Sequence, residues 1–260
     1  MNNYYYKIIM GKVCKILYNN NIGSVVLSKN LKLNKSIINI IESEGIDILD
    51  GRYIFKDLIF KITKYICKIK NENISKCELT LLTNNLNNDI VNNIMYLAGN
   101  VKVVNIVTNN IKEYKNLEEK IYEKFGILIR ITNNKRKSLA SSKLIFNLDF
   151  PEEILNEYYI YDRAIIINIH KKIKILSKKF NGININYYNI ELSNKYKEYF
   201  KKYNIYNNFS NNELLESILY NGKDFYNRID FLEDNNVIIL NLIGENGIIN
   251  ENNIKDIDKF

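Results

Sequence analysis

From Lys76 the chain alternates short apolar runs with amphipathic stretches, and this alternation narrows its possible folds more than any other feature. The runs are "CELTLLT", "VKVVNIVT", "ILIRIT", "KLIFNLD" and "AIIINI", and helical periodicity fills the gaps from Asp89 to Ala98 and from Glu113 to Phe125. In the second of these helices Leu117, Ile121 and Phe125 form one stripe, with Glu118, Glu119, Glu123 and Lys124 around the other side. Gly99 and Gly126 follow the two helices where a left-handed C-cap is expected. Runs such as "AIIINI" and "VKVVNIV" are apolar at nearly every position, the mark of strands buried on both faces, and helical crossovers between them require parallel pairing. The expected fold is α/β: a doubly wound, mainly parallel, Rossmann-like sheet with an N-terminal α/β segment and a C-terminal helical and hairpin appendage.

Three of the apolar runs close on the same tripeptide: "LLTNN" at Leu81 to Asn85, "IVTNN" at Ile106 to Asn110 and "RITNN" at Arg130 to Asn134. Thr suits a strand end, and Asn suits the turn that follows, because its side chain bonds nearby backbone and tolerates left-handed geometry. The tripeptide therefore marks the carboxyl end of each strand.

Residues 76–192 form the expected Rossmann-like domain. In residues 1–75, "SVVLS" and "IDILD" read as two short strands around a helix from Lys35 to Ser43. An amphipathic helix follows from Tyr53 to Ile69, with Leu58, Ile62, Ile66 and Ile69 facing inward, and "NENIS" marks the boundary. In residues 193–260, Ser210 and Glu213 have capping-box spacing ahead of "LLESILY", and "NVIILNLIGENGII" reads as a strand and a Gly-containing turn.

Composition excludes several classes. With 260 residues the chain can bury a substantial core, and 46% hydrophobic with 25% charged residues is globular rather than disordered. The net charge of +8 is spread over lysines interleaved with acids, and Lys, Asn, Ile and Tyr are enriched together as in an AT-rich genome, so no nucleic-acid partner is expected. The Tyr-rich stretches "NYYYK" and "KYKEYFKKYNIYNNF" suit single-stranded nucleic acid in composition, but such segments more often pack their aromatics while their lysines are solvated. Cys14, Cys67 and Cys77 lack metal-ligand spacing and are odd in number, which points to a reduced, cytoplasmic setting without a metal. The first residues, "MNNYYYKIIMGKVCKIL", contain neither a signal-peptide core nor a membrane span, so no membrane is expected.

The element order from Cys77 to Ile169 resembles the NAD(P)-binding Rossmann domain, in the form found in shikimate dehydrogenases and glutamyl-tRNA reductases. The resemblance covers somewhat over a third of the chain and rests on element order. It implies a glycine-rich turn after the first strand, where backbone amides approach a pyrophosphate at a helix N-terminus. The matching stretch, Thr83 to Asp89, contains no glycine; its side chains fill the space a phosphate needs, and Asp89 would repel one. The resemblance also implies an acid at the end of the second strand for NAD, or polar and basic residues for NADP. Thr108, Asn109 and Asn110, with Lys112 behind them, disfavour NAD and permit NADP. At the end of the fourth strand, where the family often has a small-residue turn near the nicotinamide, "NLDFPEE" brings Asn147, Asp149, Phe150 and Pro151. The expectation is no cofactor, with NADP as the exception.

In the usual strand order Thr83, Asn84, Asn147, Asp149 and His170 share the carboxyl edge, where α/β sheets bind ligands, and Thr108 and Asn109 end the next strand. His170 is the sole histidine. Oriented by Asp149 it is a candidate general base near neutral pH. The alternatives are that His170 is solvated beside Lys171 and Lys172, and that Asp149 caps the helix beginning at Pro151. In "ILDGRY", Asp50, Gly51 and Arg52 occupy a turn whose Arg52 is either a fork for a carboxylate or phosphate, or solvated. Ser28 and Lys29 could approach the same cleft. The function expected is that of a non-catalytic Rossmann-derived protein binding a protein partner or small ligand at the carboxyl edge. The alternative is an NADP-dependent oxidoreductase with a glycine-free phosphate loop.

Overall fold

The structure, a computed structural model, describes residues 3–127, 129–202, 206–220 and 225–260. Along the chain run α1 (Asn3–Asn19), β1 (Ser24–Val25), α2 (Lys29–Lys32), α3 (Lys35–Ser43), β2 (Asp47–Ile48), α4 (Ile59–Ile69), β3 (Glu78–Leu82), α5 (Asn88–Ala98), β4 (Val103–Val107) and α6 (Ile111–Phe125). They are followed by β5 (Arg130–Thr132), α7 (Lys135–Ser141), β6 (Leu144–Asn147), α8 (Glu152–Glu157), β7 (Ile165–Asn168), β8 (Ile183–Glu191), α9 (Asn194–Lys202), α10 (Asn211–Leu219), α11 (Phe225–Asp234), β9 (Ile238–Gly244), β10 (Gly247–Ile248) and α12 (Glu251–Lys255).

Contacts group these elements into two units. The first comprises 1–54, 191–224 and 231–237. In it β1 and β2 pair in parallel, and Met10 and Cys14 of α1 pack with Ile37 and Ile41 of α3 in a small core. Ser210 and Glu213 form the expected capping box at the start of α10.

The second unit comprises 55–190, 225–230 and 238–260. It holds a sheet in the order β10-β9-β8-β7-β6-β3-β4-β5. Pairing is parallel from β8 through to β5, so the chain winds outward from β3 in one direction and from β6 in the other. This is the doubly wound α/β order, with its reversal between β3 and β6. The hairpin of β9 and β10 extends the sheet beyond β8, and Gly247 supplies a φ of 111° in its turn. Every residue of β6 and β7 is buried, as strands covered on both faces require. On one face Leu82, Val107, Ile145 and Ile166 pack with Leu139 of α7 and Leu155 of α8. Each such side chain contributes about 1.5–3 kcal/mol on burial.

Three expectations need correction or completion. The helix expected from Tyr53 begins only at Ile59, after a single 3-10 turn at Lys56–Leu58; ahead of that turn the Tyr53 N–H bonds a Glu216 carboxylate oxygen at 2.6 Å. Gly99 is not a left-handed cap: its φ is −73°, and a Cβ there would stand 3.3 Å from the Phe125 ring, a tight contact. Gly126 does take the left-handed geometry, at φ 67°, and its N–H bonds the Tyr122 carbonyl at 2.8 Å. Leu128, within the run "ILIRIT", lies outside the described residues, as do Tyr203, Asn204 and Ile205 of the second Tyr-rich stretch and the side chains of Tyr4 and Tyr5 in the first.

Candidate functional site

The parallel register aligns the strand ends. Leu82 pairs with Val107 on one side and Asn147 on the other, Val107 pairs with Thr132, and Asn147 with Asn168. Thr83, Thr108, Asn147 and His170 therefore leave the sheet along one edge, as the sequence predicts. Asn84 and Asn109 stand in the turns just beyond it.

At the centre of this edge lies Asp149. Its Oδ1 and Oδ2 accept the Asn84 N–H at 2.8 and 2.9 Å, and Oδ2 also accepts the Asn85 N–H at 2.8 Å and the Thr83 hydroxyl at 3.3 Å. The carboxylate thus rests on the backbone amides of the β3–α5 turn, the groups that face a pyrophosphate when this turn binds one. Neither role expected of Asp149 is realised. It does not cap α8, whose N-cap is Pro151 without a side-chain bond, and it does not hydrogen-bond His170. His170 is exposed and has no hydrogen-bond partner among the described residues, so the expected Asp149 and His170 dyad does not form.

The polar residues around Asp149 are tied to one another. The Asn84 side-chain oxygen accepts the Asn109 N–H at 2.9 Å, and the Asn110 amide group donates to the Asn84 carbonyl at 2.8 Å. Lys135 Nζ donates to Asn109 Oδ1 at 2.5 Å and lies 5.8 Å from the Phe150 ring centroid. The Thr108 hydroxyl accepts the Asn110 N–H at 3.0 Å. From α6, the buried Tyr114 reaches this edge and donates its hydroxyl to the Asn85 carbonyl at 2.9 Å; burial pushes its pKa up to about 12, so it remains a donor. Tyr114 was not singled out by sequence. Its position three residues before Leu117 on the buried stripe is the signal that could have found it.

Asn147 is a brace rather than a surface donor. Buried to 2% exposure, it donates to the Phe150 carbonyl at 3.0 Å and accepts the Phe150 N–H at 2.9 Å, which fixes the loop carrying Asp149. It also donates to Asn168 at 3.2 Å, and Asn168 donates to Asn184 at 2.7 Å and to Asn186 at 3.1 Å. Asn186 in turn accepts the Ile173 N–H at 2.8 Å. This row of buried amides on one sheet face pins the loops after β6 and β7, where an unpaired amide would be costly.

Asp89, in the first turn of α5, does not face a ligand as a free charge. It pairs with Lys56 at 2.5 Å and with Arg228 at 3.0 Å. Partial burial pushes its pKa up, but the hydrogen bonds from Lys56 and Arg228 outweigh that and hold it below the ordinary carboxylate range. Arg228 is buried and forks onto Asp57 at 2.6 and 3.2 Å. Burial disfavours the guanidinium charge, yet Asp57 and Asp89 hold its pKa above the ordinary value.

Arg52 belongs to the other unit. Its N–H bonds Asp50 Oδ1 at 3.0 Å, its Nε lies 3.7 Å from Asp50 Oδ2, and its side chain is 15% exposed. Gly51, at φ 87°, shapes this turn, and its N–H bonds the buried Glu216 at 2.7 Å. Ser28 precedes α2 without a side-chain cap bond, and Lys29 bonds the Asn207 carbonyl at 3.2 Å. The three cysteines are buried and free, no group of metal-ligating side chains occurs among the described residues, and no described helix is long and apolar enough to cross a membrane.

No family model and no curated protein sequence matches this chain. Among solved structures, the chain is similar to L-tryptophan dehydrogenase from Nostoc punctiforme at 9% identity and a TM-score of 0.38, covering 88% of this chain and 64% of that one. A dipicolinate synthase from Bacillus halodurans matches at 10% identity and a TM-score of 0.34, covering 56% and 51%. Ornithine carbamoyltransferase from Pyrococcus furiosus matches at 9% identity and 0.31, covering 64% and 60%. The chain spans only 51 to 64% of the length of these three structures.

Proposed function

We propose that this chain is a non-catalytic protein of Rossmann-derived architecture that binds a protein partner or small ligand at the carboxyl edge of its sheet, and that it holds no dinucleotide there. One observation carries the reading: the Asp149 carboxylate already occupies the Asn84 and Asn85 amides of the β3–α5 turn. A phosphate arriving at that turn would meet a fixed negative charge and find the Asn84 and Asn85 amides already taken. The glycine-free sequence from Thr83 to Asp89 supports the same reading. What the edge offers instead is a set of exposed polar groups, the Asn109 and Asn133 amides, the His170 ring and the Lys171 and Lys172 ammonium groups, which suit an acidic or polar group on the partner.

Two measurements test this. Titration calorimetry with NADH and NADPH is expected to show no binding, and micromolar binding of either would overturn the reading and restore an NADP-dependent oxidoreductase. A thermal-shift panel of acidic and polar small molecules searches for the occupant, since a ligand at about one hundred times its Kd stabilises the fold by about 2.7 kcal/mol. A hit at this edge is expected to weaken in His170→Ala with unchanged folding.

A further inference from the structure

The first unit contains a cavity of about 360 Å³, within the size range of small-molecule sites. Its charged lining is wholly acidic: Glu42, Asp47 and Asp50 are exposed, and Glu216 is 1% exposed. Tyr53 and Tyr220 complete the wall, their rings edge to face with centroids 5.0 Å apart. Glu216 Oε2 accepts the Gly51 N–H at 2.7 Å and Oε1 the Tyr53 N–H at 2.6 Å, so the carboxylate is held in one orientation. No cation pairs with Glu216 among the described residues, and none lines the cavity. Burial, with Asp50 adding its charge, pushes the Glu216 pKa up to about 7 against the bonds from the turn amides. Asp47 accepts the Tyr220 hydroxyl, which fixes a second carboxylate beside the aromatic pair.

A buried carboxylate without a positive partner is costly, and an entering cation would relieve that cost while its apolar stem covered the tyrosine rings. We infer that this cavity binds a small organic cation, an alkylammonium or guanidinium group on a short apolar stem, through the Glu216 and Asp47 carboxylates and the Tyr53 and Tyr220 rings. A divalent metal fits less well, because it requires several oxygens converging on one point and no group of three acids is so arranged among the described residues. This site lies outside the carboxyl edge and uses none of its residues.

The test is calorimetric titration of the full chain with putrescine and agmatine, with succinate and magnesium chloride as comparisons. One-to-one binding of an amine is expected, with succinate and magnesium silent. Asp47→Asn, at an exposed position, and Glu216→Gln are each expected to weaken amine binding at least tenfold; if Glu216→Gln does not fold, Asp47→Asn carries the test. The inference is overturned if neither amine binds at millimolar concentration, if succinate or magnesium binds as well as the amines, or if the folded variants bind like the parent. None of these results would alter the dinucleotide titrations that test the carboxyl edge.

Discussion

Replacing Asp149 by Ala asks whether an internal carboxylate substitutes for a ligand anion at the β3–α5 turn. The change removes the acceptor of two backbone N–H groups, those of Asn84 and Asn85, and one of several partners of the Thr83 hydroxyl. A hydrogen bond to a charged group contributes about 1.5–3 kcal/mol. Asn84 is half-buried and Asn85 exposed, so water recovers part of the loss, and a net cost of about 2–3 kcal/mol follows. For a chain of this length that cost lowers Tm by about 5 °C. Asp149→Asn, which keeps one acceptor oxygen, is expected to lose about half as much.

The decisive comparison is rescue with a small carboxylate. In Asp149→Ala the two amides point into the space the carboxylate filled, and formate fits there. With a Kd of about 100 mM, formate at 1 M would return about 1.4 kcal/mol of stability. Differential scanning calorimetry of parent and variant across a formate series, with chloride at matched ionic strength, reads this directly. If the variant melts like the parent, or if formate raises both melting temperatures equally, Asp149 is not acting as an internal anion.

The remaining predictions concern other charged groups. Glu216 has a pKa raised from its ordinary 4.5 to about 7, so the folded chain binds that proton more tightly than the unfolded one. Its contribution is therefore full below pH 4.5 and is lost as pH rises through 7, about 3 kcal/mol in all; denaturant melts from pH 4.5 to 7.5 should show the fall, and Glu216→Gln should flatten it. Arg228→Met leaves Asp57 buried and unpaired and is expected to cost about 3–5 kcal/mol, measured by urea denaturation. His170→Ala, at an exposed residue, should change stability by less than about 0.5 kcal/mol, and a larger loss by the same assay would mean that the imidazole is structural.

The sheet was legible because its signal is local. A strand such as "AIIINI" is buried on both faces whatever its neighbours are, and the lengths between strands demand crossovers. The capping box of Ser210 and Glu213 was legible for the same reason, since both partners lie within one turn. The site was less so because its bonds span long stretches of sequence. Asp149 meets Asn84 across 65 positions, and Glu216 meets Gly51 across 165. Spacing alone assigned Asp149 to the nearest helix start, where capping is the commonest local role, and nothing local ties Glu216 to a glycine turn far upstream. Gly99 differs: glycine after a helix suggests a left-handed cap, but here the backbone is right-handed and the close neighbour is the Phe125 ring from the next helix.

The three Thr-Asn-Asn turns show how far identical sequence determines identical chemistry. At β4 and β5 the threonine hydroxyl accepts the N–H two residues on, from Asn110 at 3.0 Å and from Asn134 at 3.1 Å, the ordinary local turn. At β3 the corresponding Asn85 N–H goes to Asp149, and the Thr83 hydroxyl turns about to donate to the Asn85 carbonyl at 3.0 Å. The difference arises from position in the sheet. Of these three strands β3 alone lies beside β6, across the reversal of strand order, so of the three turns it is the one next to the loop after Asn147. In open α/β sheets that reversal is where ligands bind, and here the same place is where a side chain of the protein has taken the donors. The repeat therefore reports the fold three times. The one copy whose hydrogen bonds depart from the local pattern marks where an anion approaching the β3–α5 turn would have to displace Asp149.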